Sequence, residues 1–209
     1  MRVRKKKWAA SELESNPLIL DETDINISTC FPNPKLPLHL EVGCGKGRFI
    51  TQMSLKNQEI NFFALERDPT IVAQAARLAR LKEIVNLRFL IADVDFIENY
   101  FKPGDVSRLY INFCDPWPTK VKRARRRLTH DRYIKVYEKL KIPQIFFKTD
   151  NRLLFEFSIE SFSRNKWLIS NVSLDLHKSD YADNIVTEYE EKFSAYGPIY
   201  RLEAFKSCE

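Results

Sequence analysis

The 209-residue sequence predicts an α/β fold with a doubly wound, mostly parallel sheet, and three observations carry that prediction. Short apolar runs alternate with stretches of helical periodicity from Leu38 to about Ser163. The runs end on glycines or polar groups: the loop Gly43–Gly47, Glu66, Asp93, the stretch Asn112 to Asp115, and Asp150. Beyond residue 163 the alternation gives way to two further strand-like runs. In sheets of this kind ligands bind past the carboxyl ends of the strands, and the five polar ends are expected to converge there.

Residues 1–16 are polar and are expected to form a basic, mobile N-terminal arm ahead of a single domain over 17–209. Leu38 to Val42 reads as a short buried strand, and 48–56 fits a helix. Ile60 to Leu65 is a second strand. Pro69 then sits well at the first turn of a helix, in which Ile71, Val72, Ala75, Leu78, Ala79 and Leu81 recur near a 3.6-residue period. Leu87 to Ala92 and Val106 to Asn112 are the third and fourth strands. Residues 129–141 fit a helix with Thr129 as candidate N-cap. Ile145 to Lys148 is a fifth strand, with a helix running to about Ser163. Trp167 to Leu176 and Ile199 to Phe205 read as strands, joined by a loop and a short helix near 188–194.

Composition narrows the class. A chain with 44% hydrophobic residues has enough apolar side chains for a full core. No apolar stretch approaches the ~20 residues of a membrane span, and the basic start from Met1 to Trp8 leads into no apolar signal region. A cytoplasmic protein is expected. Cys30, Cys44, Cys114 and Cys208 form no C-x-x-C pair, so neither disulfides nor a metal site is expected. Cys44 and Cys114 read as small uncharged fillers. The net charge of +6 is concentrated: Arg2 to Lys7 holds five basic groups, and Lys120 to Arg127 (KVKRARRR) holds six. Single-signed blocks on a nearly balanced body point to a polyanion-binding surface.

Glu41-Val-Gly-Cys-Gly-Lys-Gly47 alternates Gly43, Gly45 and Gly47. Glycine permits positive φ and close approach of a ligand to backbone. A dinucleotide fingerprint needs glycine at 48, where Arg48 stands; NAD is the second choice. The E-x-G-x-G-x-G form is typical of enzymes using S-adenosylmethionine (SAM). SAM lacks a pyrophosphate but carries a sulfonium and a ribose diol, which suit carboxylates. Glu41 precedes the glycines, Glu66 is placed for the ribose hydroxyls and Asp93 for the adenine amino group. The second loop, Asn112-Phe-Cys-Asp-Pro-Trp-Pro118, is stiffened by two prolines. It offers Trp117 as a stacking face and Asp115 as a fixed carboxylate, with the block Lys120 to Arg127 at its rim to hold phosphates. From spacing alone, Asp150 reads as an N-cap and Thr187-Glu-Tyr-Glu190 as a capping box.

These segments resemble one family over almost the whole chain. HLEVGCGKGRFI, INFFALERD, YINFCDPWP, KRARRRLT, FFKTDN, VSLDLH and NIVTEYEEKF, with the MRVRKKKW start, are similar to bacterial tRNA (guanine-N7-)-methyltransferases. The resemblance implies a class I SAM-methyltransferase (Rossmann-like) fold, seven-stranded with a C-terminal antiparallel hairpin. It also implies methylation of guanine N7 in the tRNA variable loop, at guanosine 46. By that pattern Glu41, Gly43, Gly45, Gly47, Glu66, Asp93 and Asp115 hold SAM, and Asp115 is catalytic. Thr119, Lys120, Val121, Lys122, Arg123, Ala124, Arg125 and Arg126 contact RNA. Asp150, Thr187, Glu188, Tyr189 and Glu190 contact substrate. The expected partner is tRNA, without membrane or metal, and the protein is a monomer or homodimer. Two departures stand out: Thr119 occupies a position where many members carry lysine, and the basic run lacks the family's histidine. The alternatives are methylation of an exocyclic amine in another nucleic acid, and a non-catalytic RNA-binding protein on the same fold.

Overall fold

The computed structural model describes residues 7–21, 25–118 and 121–206. The chain divides into two compact units, Met1–Phe101 and Lys102–Glu209. The expectations for Thr119, Lys120, Cys208 and the arm before Lys7 lie outside the described residues.

In the first unit, β1 (Ile19–Leu20), β2 (Leu38–Val42), β3 (Asn61–Glu66) and β4 (Leu87–Ile91) form a parallel array in the order β1-β4-β3-β2. All five residues of β2 are buried, as expected of a parallel strand covered on both faces. Helices α2 (Arg48–Lys56) and α3 (Pro69–Leu81) follow β2 and β3. Asp68 caps α3 through its carboxylate, which accepts from the N–H groups of Thr70 (2.8 Å) and Ile71 (3.2 Å), with Pro69 at the first turn. Phe63 anchors the core, its ring edge-on to Phe31 at 5.5 Å and Phe101 at 5.4 Å. At this spacing aromatic pairs are favourable beyond their burial.

Part of the segment 1–16, expected as a mobile arm, carries regular structure. Lys7–Ser15 forms helix α1, which packs on α3. The guanidinium of Arg80 donates to both oxygens of Glu12, at 3.0 and 3.2 Å, and that of Arg77 lies 5.2 Å over the Trp8 ring. Polarity alone hid the helix because its anchors are an ion pair and a cation–π contact.

The second unit contains β5 (Val106–Asn112), α4 (Val121–Ala124), α5 (Asp131–Lys139), β6 (Gln144–Thr149), α6 (Arg152–Arg164), β7 (Leu168–Ser173), α7 (Glu188–Phe193) and β8 (Tyr200–Phe205). Its strands run in the order β5-β6-β8-β7, with β5 and β6 parallel and β8 antiparallel to both its neighbours. The antiparallel C-terminal pair is thus present. The described residues contain eight strands, not seven, the addition being the two-residue β1. Phe155 of α6 stacks on Phe147 of β6 at 6.4 Å, and Leu154 and Phe162 are fully buried.

Two capping assignments change. Thr129 does not cap α5; it is buried with its hydroxyl 2.7 Å from that of Ser158, and His130 caps instead by accepting from the N–H of Arg132. Asp150 does not cap α6; Asn151 does, accepting from the N–H of Leu154 at 2.8 Å. Either neighbour satisfies the pattern in sequence, and the backbone turn selects one.

Candidate active site

In the first unit the glycine loop closes the end of β2. Gly43, Gly45 and Gly47 all have positive φ. A Cβ at Gly43 or Gly45 would meet nothing within 4 Å, so open space lies over the loop, whereas one at Gly47 would come within 2.6 Å of the Cβ of Ala75. The first two glycines leave room for a ligand and the third lets α2 approach α3. The loop's amides are used internally. Gly43 and Cys44 donate to the Leu65 carbonyl at 2.8 and 3.1 Å, Gly47 to Cys44 at 3.0 Å, and Gly45 to Oε2 of Glu66 at 3.3 Å. A pyrophosphate needs outward N–H groups. This loop instead sets a half-buried carboxylate beside its open space, an arrangement suited to the ribose hydroxyls of SAM and NAD alike, and it is the inward-bonded amides that favour SAM.

The second Glu66 oxygen accepts from the N–H groups of Arg67 (2.9 Å) and Asp68 (3.2 Å), which fixes the carboxylate's orientation. Asp93, also half-buried, follows β4 and caps a 3₁₀ turn, accepting from the N–H of Asp95 at 3.0 Å. Glu41 is buried on β2. Burial pushes the Cys44 thiol well above its usual range, and the carboxylates of Glu41 and Glu66 push it further. A thiol so held is no nucleophile.

In the second unit the loop after β5 leaves the strand through Phe113, whose φ is +51°, and passes Trp117 at +26°. Both are uncommon for bulky residues. Asp115 and Pro116 are exposed, Trp117 is half-buried, and Cys114 is pushed up to about 12 by burial. The guanidinium of Arg126 lies 4.9 Å over the Trp117 ring, so one stacking face of that ring carries a cation. Lys122, Arg123 and Arg125 are exposed, while Ala124 is half-buried. Arg127, grouped by sequence with the phosphate-binding run, is 3% exposed and turned inward; its burial corrects that reading.

At the end of β6, Asp150 accepts from the hydroxyl of Tyr189 at 3.1 Å. Burial and the Asp150 charge hold that phenol above its usual range. The exposed Tyr189 ring leans on Phe113 at 5.1 Å and stacks on Phe193 at 4.2 Å. Thr187 and Glu190 form the expected capping box of α7. Glu190 is also fully buried, and its oxygens accept from Lys148 Nζ (2.8 Å) and Asn184 Nδ2 (2.7 Å), with His177 Nε2 3.0 Å away. Burial works against its ionisation, but the charge and hydrogen bond of Lys148, with Asn184 and the Thr187 N–H, outweigh it and hold the carboxyl below its usual range. The structure therefore presents Asp150, Glu188 and Tyr189 at least partly to solvent and places Glu190 in the interior. Lys148, Asn184 and His177 were missed as partners. A lysine inside the apolar run before Thr149 was the available signal, since a buried cation requires an acceptor.

Residues 35–202 match the family model described as "Putative methyltransferase". The tRNA (guanine-N(7)-)-methyltransferase of Listeria innocua is 45% identical over 211 residues, covering 98% of each chain. Among solved structures, an antibiotic-related methyltransferase matches with a TM-score of 0.60 at 15% identity, over 90% of this chain and 94% of that one. The 16S rRNA (adenine(1408)-N(1))-methyltransferase of Catenulisporales acidiphilia, solved with its cosubstrate SAM, matches with a TM-score of 0.56 at 12% identity, over 82% and 86%. The structural likenesses establish a class I SAM-methyltransferase fold. The full-length identity goes further: the chain belongs to the tRNA (guanine-N(7)-)-methyltransferase family.

Proposed function

We propose that this protein transfers the methyl group of SAM to N7 of a guanine in the tRNA variable loop, guanosine 46, giving 7-methylguanosine. The observation that carries the reading is 45% identity to a tRNA (guanine-N(7)-)-methyltransferase over 98% of the chain. When bound, SAM supplies an electrophilic methyl group on a sulfonium.

The first unit's residues hold that cosubstrate: the open glycine loop beside it, Glu66 toward the ribose hydroxyls, and Asp93 toward the adenine edge. The internally bonded amides of the loop and the fixed Glu66 carboxylate support this assignment. In the second unit Asp115 orients the guanine by accepting from its N1–H or amino group. Guanine N7 has an in-plane lone pair and no proton, so attack requires no general base. Catalysis then rests mainly on alignment, which can contribute ~7–11 kcal/mol. The carboxylate of Asp115 also favours the cationic ring that develops. Asp150 and Tyr189 line the approach of a base drawn out of its stack, and Lys122, Arg123 and Arg125 bind the tRNA backbone. Glu190 contributes from the interior by seating α7 and hence Tyr189. No helix among the described residues is long and apolar enough to cross a membrane, and a tRNA substrate fits a cytoplasmic location.

The test is methyl transfer from labelled SAM to an unmodified tRNA transcript, run beside one in which the variable-loop guanosine is adenosine. 7-Methylguanosine in the first and none in the second is expected. A different methylated nucleoside, or none in either, overturns the reading.

A further inference from the structure

The guanidinium of Arg127 donates from Nε to the carbonyls of Pro116 (2.9 Å) and Trp117 (3.0 Å), and from Nη2 to that of Trp117 (2.8 Å). It also lies 4.5 Å over the ring of Phe157 on α6. Among the described residues no carboxylate is paired with it. Burial lowers its pKa, yet a guanidinium stays charged throughout the working range. A buried cation satisfied only by main-chain carbonyls and a ring is costly, and the site gains one thing from it. The carbonyls it grips flank Trp117, whose φ of +26° an unsupported chain would rarely adopt. Trp117 stands two residues after Asp115 in the same proline-braced loop.

From this we infer that Arg127 is the positioning residue of the Asp115–Pro118 loop, and that its charge serves the loop instead of the RNA. The basic run divides by direction: Lys122, Arg123 and Arg125 face solvent, Arg126 covers the Trp117 ring, and Arg127 holds the same tryptophan's main chain from the interior. The five N–H donors of arginine in a planar fork suit two adjacent carbonyls, and a lysine ammonium matches that geometry poorly. The inference rests on the proposed role of Asp115 for its effect on turnover, but not for its effect on the loop.

The experiment compares Arg127→Met, Arg127→Lys and Arg125→Ala in full-length protein labelled with 5-fluorotryptophan. The ¹⁹F resonance of Trp117 is assigned by Trp117→Phe, and those of Trp8 and Trp167 report on the rest of the chain. In Arg127→Met the Trp117 resonance should broaden or shift with the other two unmoved. Turnover on tRNA should fall by about a hundredfold, the scale of a small misplacement of a reacting group, with KM for tRNA and the salt slope of binding unchanged. Arg127→Lys should recover part of both effects. Arg125→Ala should do the reverse, lowering the salt slope by about one and leaving the Trp117 resonance in place. A reduced salt slope in Arg127→Met with Trp117 unmoved would overturn the inference, as would displacement of all three tryptophans, which marks a general core defect. If the wild-type protein forms no 7-methylguanosine, the proposed reaction fails while the ¹⁹F comparison still judges Arg127.

Discussion

Nζ of Lys148 lies 2.8 Å from Oε2 of Glu190, with both side chains buried, and the same ammonium donates to Asn184 Oδ1 and the Ile185 carbonyl at 3.0 Å. Breaking such a pair by removing one partner leaves an uncompensated charge, at about 3–5 kcal/mol. Lys148→Met should lower stability by that order at pH 7 in urea denaturation. In the wild type the folded Glu190 carboxyl is held low, so the unfolded chain binds more protons there. Its contribution is complete above the unfolded carboxyl's range near pH ~4.3 and is lost as pH falls through the folded value. Removing the ammonium lets burial raise the carboxyl instead. The gap in urea midpoint between wild type and Lys148→Met should therefore narrow from pH 7 to pH 4. A constant gap would show that Lys148 acts only through packing.

The glycine loop separates space from strain. Gly47→Ala would drive a Cβ within 2.6 Å of Ala75 at a φ of +77°, whereas Gly45→Ala meets open space at +54°. Gly47→Ala should lower the melting temperature markedly. Gly45→Ala should cost about 1–2 kcal/mol of stability from backbone alone, with a larger loss of SAM affinity by calorimetry because its methyl enters the space assigned to the ligand. Equal loss of stability in both variants would contradict this division.

Asp115 is exposed and sits in the loop that Arg127 holds. Asp115→Ala should reduce turnover by about two to three orders of magnitude, in line with removal of one transition-state partner, with SAM affinity within a few-fold of wild type. Single-turnover kinetics with saturating SAM would read this directly, and undiminished methyl transfer would remove Asp115 from the mechanism.

Arg123 and Arg125 are exposed on the basic run. Reversing both to Glu should weaken tRNA binding and lower the slope of log affinity against log salt by about one for each phosphate no longer held. The melting temperature should stay near wild type. An unchanged slope would place the RNA elsewhere.

Much of this was legible in the residues. Leu38–Val42 and Val106–Asn112 appear at the bounds their apolar runs indicated, as do helices Arg48–Lys56 and Pro69–Leu81. Each is a local pattern bounded on at least one side by glycine, an acid or proline, so no distant information was needed. Strand β1 is two residues long and exists only through its pairing with Phe89 and Leu90, which no local pattern can announce. Helix α1 failed for the same reason, its anchors lying far along the chain on α3. In the candidate site, residue types and strand ends were readable, but directions were not. KVKRARRR gives six equal cations, and nothing in the string says that Arg127 turns inward or that Glu190 is interior while Tyr189, beside it, is exposed. Those assignments depend on which neighbour fills each side of the chain.

The positive φ angles at Phe113 and Trp117 have a consequence for any effort to make this protein more heat-resistant. Each strained non-glycine residue withholds about 1–3 kcal/mol from the folded state, so glycine or asparagine at either position should relax the backbone. Those two sites will therefore surface in a screen for thermal tolerance. They are also where the loop carrying Asp115 takes its shape. Selection for heat alone would trade activity for endurance here.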